Sequence, residues 1–185
     1  MTKNSNTIGK MHFYYGMGPG KTSITLGRII RALGHGLKPI LIQFLKKHDP
    51  SGKKGFFYGE YITLTELLNV PIMQFGNYHF VKTTSQVEAN RQMAADALQQ
   101  MQEILHSDDY DLIVLDELGS MIELNLYSEE QIFALLASRD PHAEIIITGH
   151  QPIEKIIEIA DYVTHLQEVK HPFQQGIQAR EGIEY

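Results

Sequence analysis

The sequence predicts an α/β fold built on a mostly parallel sheet with helices on both faces. Three observations carry that expectation. Short apolar runs alternate with helical patterns along the whole chain. One run leads through a glycine-rich turn, Gly16-Met17-Gly18-Pro19-Gly20-Lys21-Thr22-Ser23, straight into a helical pattern. Another run, Leu112-Ile113-Val114-Leu115, ends in Asp116-Glu117. In such sheets, ligands lie at the carboxyl ends of the strands.

The elements follow in order. Residues 1–10 are polar and expected to be flexible, which leaves 11–185 as a single domain. Residues 11–15 read as the first strand. The first helix spans 21–33, directs Ile24, Leu26, Ile29, Ile30 and Leu33 at the sheet, and stops at Gly34-His35-Gly36. Residues 39–44 form a near-continuous apolar run, as a strand covered on both faces requires. Residues 46–59, rich in Lys, Gly, Pro and Asp, read as a mobile loop; its four lysines could meet an anionic ligand, but a solvated loop is the favoured reading. A short helix at 63–68 and a third strand at 72–75 lead to an aromatic-rich loop at 76–82. A long helix at 85–106 carries Met93, Ala97, Met101 and Leu105 at helical spacing. The fourth strand, 111–117, ends in the two carboxylates. Ser128 is placed to cap a helix at 128–138. Strand five at 144–148, a helix at 153–160 and an alternating edge strand at 162–169 complete six strands. The tail from Lys170 reads as irregular.

Composition sets limits. The chain has 185 residues, enough for one sizeable core, and no cysteine, so thiolate metal sites and disulfides are excluded. The net charge of −6 argues against a broad nucleic-acid footprint. No apolar run approaches membrane-spanning length, and the first ten residues lack the apolar core of a signal peptide. A cytoplasmic setting without membrane partners is the expectation.

A strand, a glycine-rich turn and a helix opening with Lys21-Thr22 is the layout of a phosphate-binding loop. The glycines let the backbone N–H groups of Gly16, Met17, Gly18, Gly20 and onward curl around a polyphosphate, with Pro19 part of the turn but offering no N–H, and Ser23 in the first helical turn. Lys21 supplies a point charge, and the Thr22 hydroxyl is placed to ligate Mg²⁺, with Mn²⁺ as the alternative ion. The pattern is one residue short, because Tyr15 stands where a further glycine is usual. A plain glycine-rich turn with an exposed lysine is the bland alternative. Asp116 is the second half of a nucleotide site, holding Mg²⁺ directly or through water, and Glu117 is placed to orient a metal-bound water or polarise a substrate group. The competing reading is a strand that leaves the core through two solvated acids. Together the motifs indicate a phosphate-loop, RecA-like three-layer fold.

Four segments resemble the phosphate-loop type of ATP:corrinoid adenosyltransferases: Gly16 to Thr22; Leu26 to Gly36 with Ile42-Gln43-Phe44; Val114 to Leu118; and Ile147-Thr148-Gly149 through Lys170-His171-Pro172-Phe173 to Gly182-Ile183-Glu184-Tyr185. The resemblance implies transfer of the 5′-deoxyadenosyl group of ATP to the cobalt of a reduced corrinoid, with release of triphosphate. It assigns Lys21, Asp116 and Glu117 to catalysis, Thr22, Asp116 and Glu117 to the metal, Arg31 and His150 to ATP, and Phe80 to the corrinoid. For Arg31, a plain helix-surface role is the even alternative; for His150, the alternatives are a weaker contact than the usual arginine makes, or none. The resemblance also implies a homodimer and a flavoprotein electron donor. The chain departs from the family pattern at Pro19, where a lysine is usual, at Lys82 in place of a tryptophan, and at His150 in place of an arginine. Two other readings compete: a divergent carrier or sensor that binds nucleotide without chemistry, and a RecA-like ATPase acting on nucleic acid.

Overall fold

A computed structural model describes residues 8–55, 57–76 and 84–184. Six strands form one sheet in the order β3-β2-β4-β5-β1-β6, and every pairing is parallel. They are β1 (Met11–Tyr15), β2 (Pro39–Phe44), β3 (Ile72–Phe75), β4 (Leu112–Asp116), β5 (Glu144–Gly149) and β6 (Tyr162–His165). The helices are α1 (Lys21–Gly34), α2 (Gly59–Ile62), α3 (Thr84–His106), α4 (Leu118–Glu123), α5 (Glu129–Ala137) and α6 (Glu154–Ile159).

Strand periodicity sorts the core into two halves. Ile40, Ile42 and Phe44 of β2, with Ile113 and Leu115 of β4, pack on Ala97, Met101 and Leu105 of α3 and on α4 and α5. The alternate residues Leu41, Leu112 and Val114 pack on the opposite side with Ile29 and Ala32 of α1. Each central strand is therefore largely apolar on both faces, which is why β2 and β4 read as near-continuous apolar runs.

Several helix ends follow their local chemistry. Helix α1 closes as its terminal glycines predict: Gly36 lies at φ +73°, its N–H donates to Leu33 O, and Leu37 N–H donates to Ala32 O. Ser128 caps α5 in a reciprocal box with Gln131.

Five expectations need correction. Ile30, expected to face the sheet, is exposed on α1, because the stripe that packs on the core runs through Ile29 and Leu33 instead. The edge strand stops at His165 rather than at residue 169, because β1 ends at Tyr15 and leaves nothing further to pair with. The alternating pattern beyond it serves another purpose: Gly18 N–H donates to Leu166 O, so this segment backs the glycine-rich loop. The short helix near residue 63 is α2 running into a π-helical turn, Thr63–Leu67. The loop after β2 is organised rather than loose. Asp49 accepts from Ser51 N–H and Oγ–H, Lys54 N–H and Gly55 N–H, and the His48 ring stacks on Tyr61 at 4.5 Å. In the tail, Pro172–Gln175 forms a 3-10 turn. Among the described residues, no helix is long and apolar enough to cross a membrane.

Candidate functional site

The glycine-rich loop links β1 to α1 at the carboxyl edge of the sheet. Gly16 (φ +128°) and Gly20 (φ +104°) take left-handed conformations that a side chain would strain. Gly16 also has no room: a Cβ there would lie 2.2 Å from Leu166 O. The loop is thus pressed onto the segment after β6, and Gly16 N–H is bound to Gly149 O at 3.2 Å. Lys21 is buried and folded back, with Nζ donating to Gly16 O (2.6 Å) and Gly18 O (3.3 Å). Burial lowers its pKa below the usual lysine value, and Glu117 and Asp116 offset part of that effect.

Asp116 ends β4 fully buried, and four side chains donate to it. Thr148 Oγ lies 2.9 Å from Oδ1, Lys46 Nζ 2.8 Å and Gln43 Nε2 3.3 Å from Oδ2, and Thr22 Oγ 3.2 Å from Oδ2. Burial opposes its charge, but Lys46, Thr148 and Gln43 outweigh it and hold the carboxyl below the ordinary range. Strand β5 lies between β1 and β4, so Thr148 is the strut that joins the two halves of the site. Its oxygen also accepts from Glu117 N–H at 2.7 Å.

Glu117 turns the chain through φ +65° into α4. Its Oε2 accepts from Ser120 Oγ at 2.6 Å, and His150 Nδ1 lies 2.9 Å from the same hydroxyl. Ser120 has one proton, which goes to the carboxylate, so its oxygen accepts and His150 Nδ1 carries a hydrogen. His150 also lies 3.3 Å from Glu117 Oε2.

A relay runs outward from Asp116. Gln43 donates to Asp116, Gln74 Nε2 donates to Gln43 Oε1 at 2.8 Å, and His48 N–H donates to Gln74 Oε1 at 2.7 Å. It ties the loop after β2 to the buried carboxylate. Beside the loop lies a cleft of about 440 Å³ walled by Thr22, Ser23, Leu26, Lys46, Tyr58 and the tail residue Ile183.

The structure therefore brings together residues 16–23, Asp116, Glu117 and His150. Arg31 is not among them: it is exposed near the end of α1, about 15 Å along the helix axis from Lys21. Phe80 and Lys82 lie outside the described residues. Sequence reasoning gave no site role to Gln43, Gln74, Thr148 or Ser120, and counted Lys46 only among four lysines that could meet an anionic ligand. Two of them left a trace, since Gln43 and Thr148 are polar residues inside otherwise apolar strands.

The model of the family described as ATP:corrinoid adenosyltransferase BtuR/CobO/CobP matches residues 7–185. The chain is 30% identical over 177 residues to a corrinoid adenosyltransferase of Pseudomonas aeruginosa, covering 96% of this chain and 84% of the relative. It is 31% identical over 172 residues to corrinoid adenosyltransferase CobA of Salmonella typhimurium, covering 93% and 83%. A corrinoid adenosyltransferase of Escherichia coli K12 is 30% identical over the same length, with the same coverage.

Proposed function

The chain belongs to the ATP:corrinoid adenosyltransferase family, and we propose that it transfers the 5′-deoxyadenosyl group of ATP to the cobalt of a reduced corrinoid and releases triphosphate. The Co(I) centre of the substrate donates the electron pair that forms the Co–C5′ bond. The C5′–O bond breaks, and its pair leaves on the triphosphate. No protein nucleophile is needed, so the chain's work is to bind, orient and stabilise the leaving charge.

One observation carries this reading. The Thr22 hydroxyl and the Asp116 carboxylate converge on a single cation, with Lys46 Nζ at 3.0 Å from Thr22 Oγ and 2.8 Å from Asp116 Oδ2. An ammonium between those oxygens marks a position suited to a hard, oxygen-liking ion. Thr22 and Asp116 would hold Mg²⁺ there, with Glu117 beside it, and phosphates and water would complete its shell. Bound there, the ion would neutralise charge on the departing triphosphate. Lys21 and the loop N–H groups act on the same oxygens. The cleft walled by Leu26 and Tyr58 is the adjoining space for the nucleoside end. His150 as an ATP contact, Phe80 against the corrinoid, a homodimer, a flavoprotein electron donor and a cytoplasmic setting complete the proposal, supported by the family resemblance, while the exposed place of Arg31 at the far end of α1 favours its helix-surface alternative.

The test is product analysis. Incubation with ATP, Mg²⁺ and chemically reduced cobalamin is expected to give adenosylcobalamin and triphosphate in equal amounts. Cleavage of ATP to ADP and phosphate would overturn the reading.

A further inference from the structure

Lys46 belongs to the loop after β2, yet its side chain lies inside the site. Two backbone features put it there. Leu45 adopts φ +58°, a conformation that a non-glycine residue rarely takes, and its N–H is held by Phe75 O at 2.7 Å. Gly76 lies flat against the next peptide: a Cβ on it would fall 2.4 Å from Lys46 N and 2.6 Å from Lys46 O. Leu45 thus turns the chain back, and Gly76 allows that turn to seat. A strained backbone kept in place by a glycine clasp points to a use for the residue it aims.

In this structure the ammonium rests between Thr22 Oγ and Asp116 Oδ2. A divalent ion held by those oxygens would take the same place, and two cations would repel one another there. Displaced, the ammonium remains within a side chain's length of the phosphate loop. That loop is short of charge. It carries Lys21 alone, since Pro19 stands in the turn, while Asp116 and Glu117 face it.

We infer that Lys46 is a second phosphate-binding lysine, parked on Asp116 and Thr22 until metal-bound triphosphate arrives and then transferred to a phosphate oxygen. This rests on the reading that the site takes ATP. The ammonium serves two occupants in turn: it neutralises a buried carboxylate in the free protein, and it adds a charge-assisted contact to the bound polyphosphate.

The experiment is calorimetric titration of the full chain with inorganic triphosphate, and separately with ATP, at saturating Mg²⁺. Three forms are compared: the unaltered chain, Lys46→Gln and Lys46→Arg. Gln retains a donor for Asp116 without the charge, and Arg retains the charge; circular dichroism melts confirm folding of each. The expected result is a loss of about 10- to 100-fold in affinity for both probes in Lys46→Gln, with Arg restoring most of it. If Lys46 only balances Asp116, Lys46→Gln will bind both probes as well as the unaltered chain or better, and the inference falls while the ATP reading stands. If the unaltered chain binds neither probe, both fall together. Gly76→Ala gives an independent check. It displaces the Lys46 backbone and leaves Thr22 and Asp116 intact, so it is expected to weaken triphosphate binding in the same direction; unchanged affinity would contradict the clasp.

Discussion

The backbones of Gly119 and Gly149 touch. A Cβ built on Gly119 would lie 2.8 Å from Gly149 Cα, and one on Gly149 would lie 3.0 Å from Gly119 Cα. This contact seats the first turn of α4 on the end of β5. It fixes Glu117 and Ser120 on one side and Thr148 and His150 on the other, so the acidic half of the site depends on it. Either glycine replaced by alanine forces backbone against backbone. Gly119→Ala is expected to lower stability by about 1–3 kcal/mol, read from urea denaturation followed by circular dichroism. A loss well below 1 kcal/mol would mean that α4 shifts freely.

Thr148 donates to Asp116 and accepts from Glu117 N–H with one buried hydroxyl. Thr148→Val keeps the shape and removes both bonds, leaving the part-buried Glu117 N–H without this partner. The expected cost is about 1–3 kcal/mol. Mg²⁺-dependent ATP affinity should fall as well, because Asp116 loses the strut that orients it. Equal stability with unchanged affinity would remove Thr148 from the site.

The glutamine relay makes a non-additive prediction. Gln43→Leu and Gln74→Leu each break a bond in the same chain, so the second substitution should cost less in the presence of the first. A coupling of about 0.5–2 kcal/mol is expected from a double-mutant cycle on unfolding. Simple additivity would show that Gln74 and His48 do not support Asp116.

Acid should unfold the chain through identifiable carboxylates. Asp49 is held below the ordinary value by the Ser51 hydroxyl and the Lys54 N–H, and Asp161 by Met11 N–H and Lys10. For Glu144, burial works the other way but is outweighed by the His12 hydrogen bond and Lys10 N–H. A carboxyl with a lower pKa folded than unfolded contributes stability that is complete above the unfolded value and lost as pH falls through the folded one. The urea midpoint should therefore be level above about pH 5 and drop below about pH 4. Asp49→Asn should flatten part of that drop. A midpoint that rises on acidification would contradict the assignment.

The frame was legible because it rests on local signals. Apolar runs in β2, β4 and β5 forecast buried parallel strands, and the glycines from 16 to 20 forecast the turn that only they can make. In the sequence Lys46 is one of four lysines that either meet an anionic ligand or stay solvated, since its partner Asp116 is 70 residues away and no local pattern reveals the pairing. The loop's order was hidden for a similar reason: Asp49 gathers donors through turn geometry, while the composition of 46–59 only suggests polarity. Helix α4 escaped notice because it is six residues long and begins directly after Glu117, a non-glycine residue at positive φ. Its seat is set by Gly119 against Gly149, a contact across 30 positions that spacing does not encode.

The central claim is that ATP is held so that its sugar carbon, not a phosphorus, meets the incoming cobalt. ATP carrying ¹⁸O at the oxygen that bridges C5′ and the α-phosphorus tests this most directly, with reduced cobalamin as co-substrate and mass spectrometry of the products. All of the label should appear in released triphosphate, and the new cobalt–carbon product should carry none from that position. Label found in ADP or AMP would show cleavage within the phosphate chain and contradict the account.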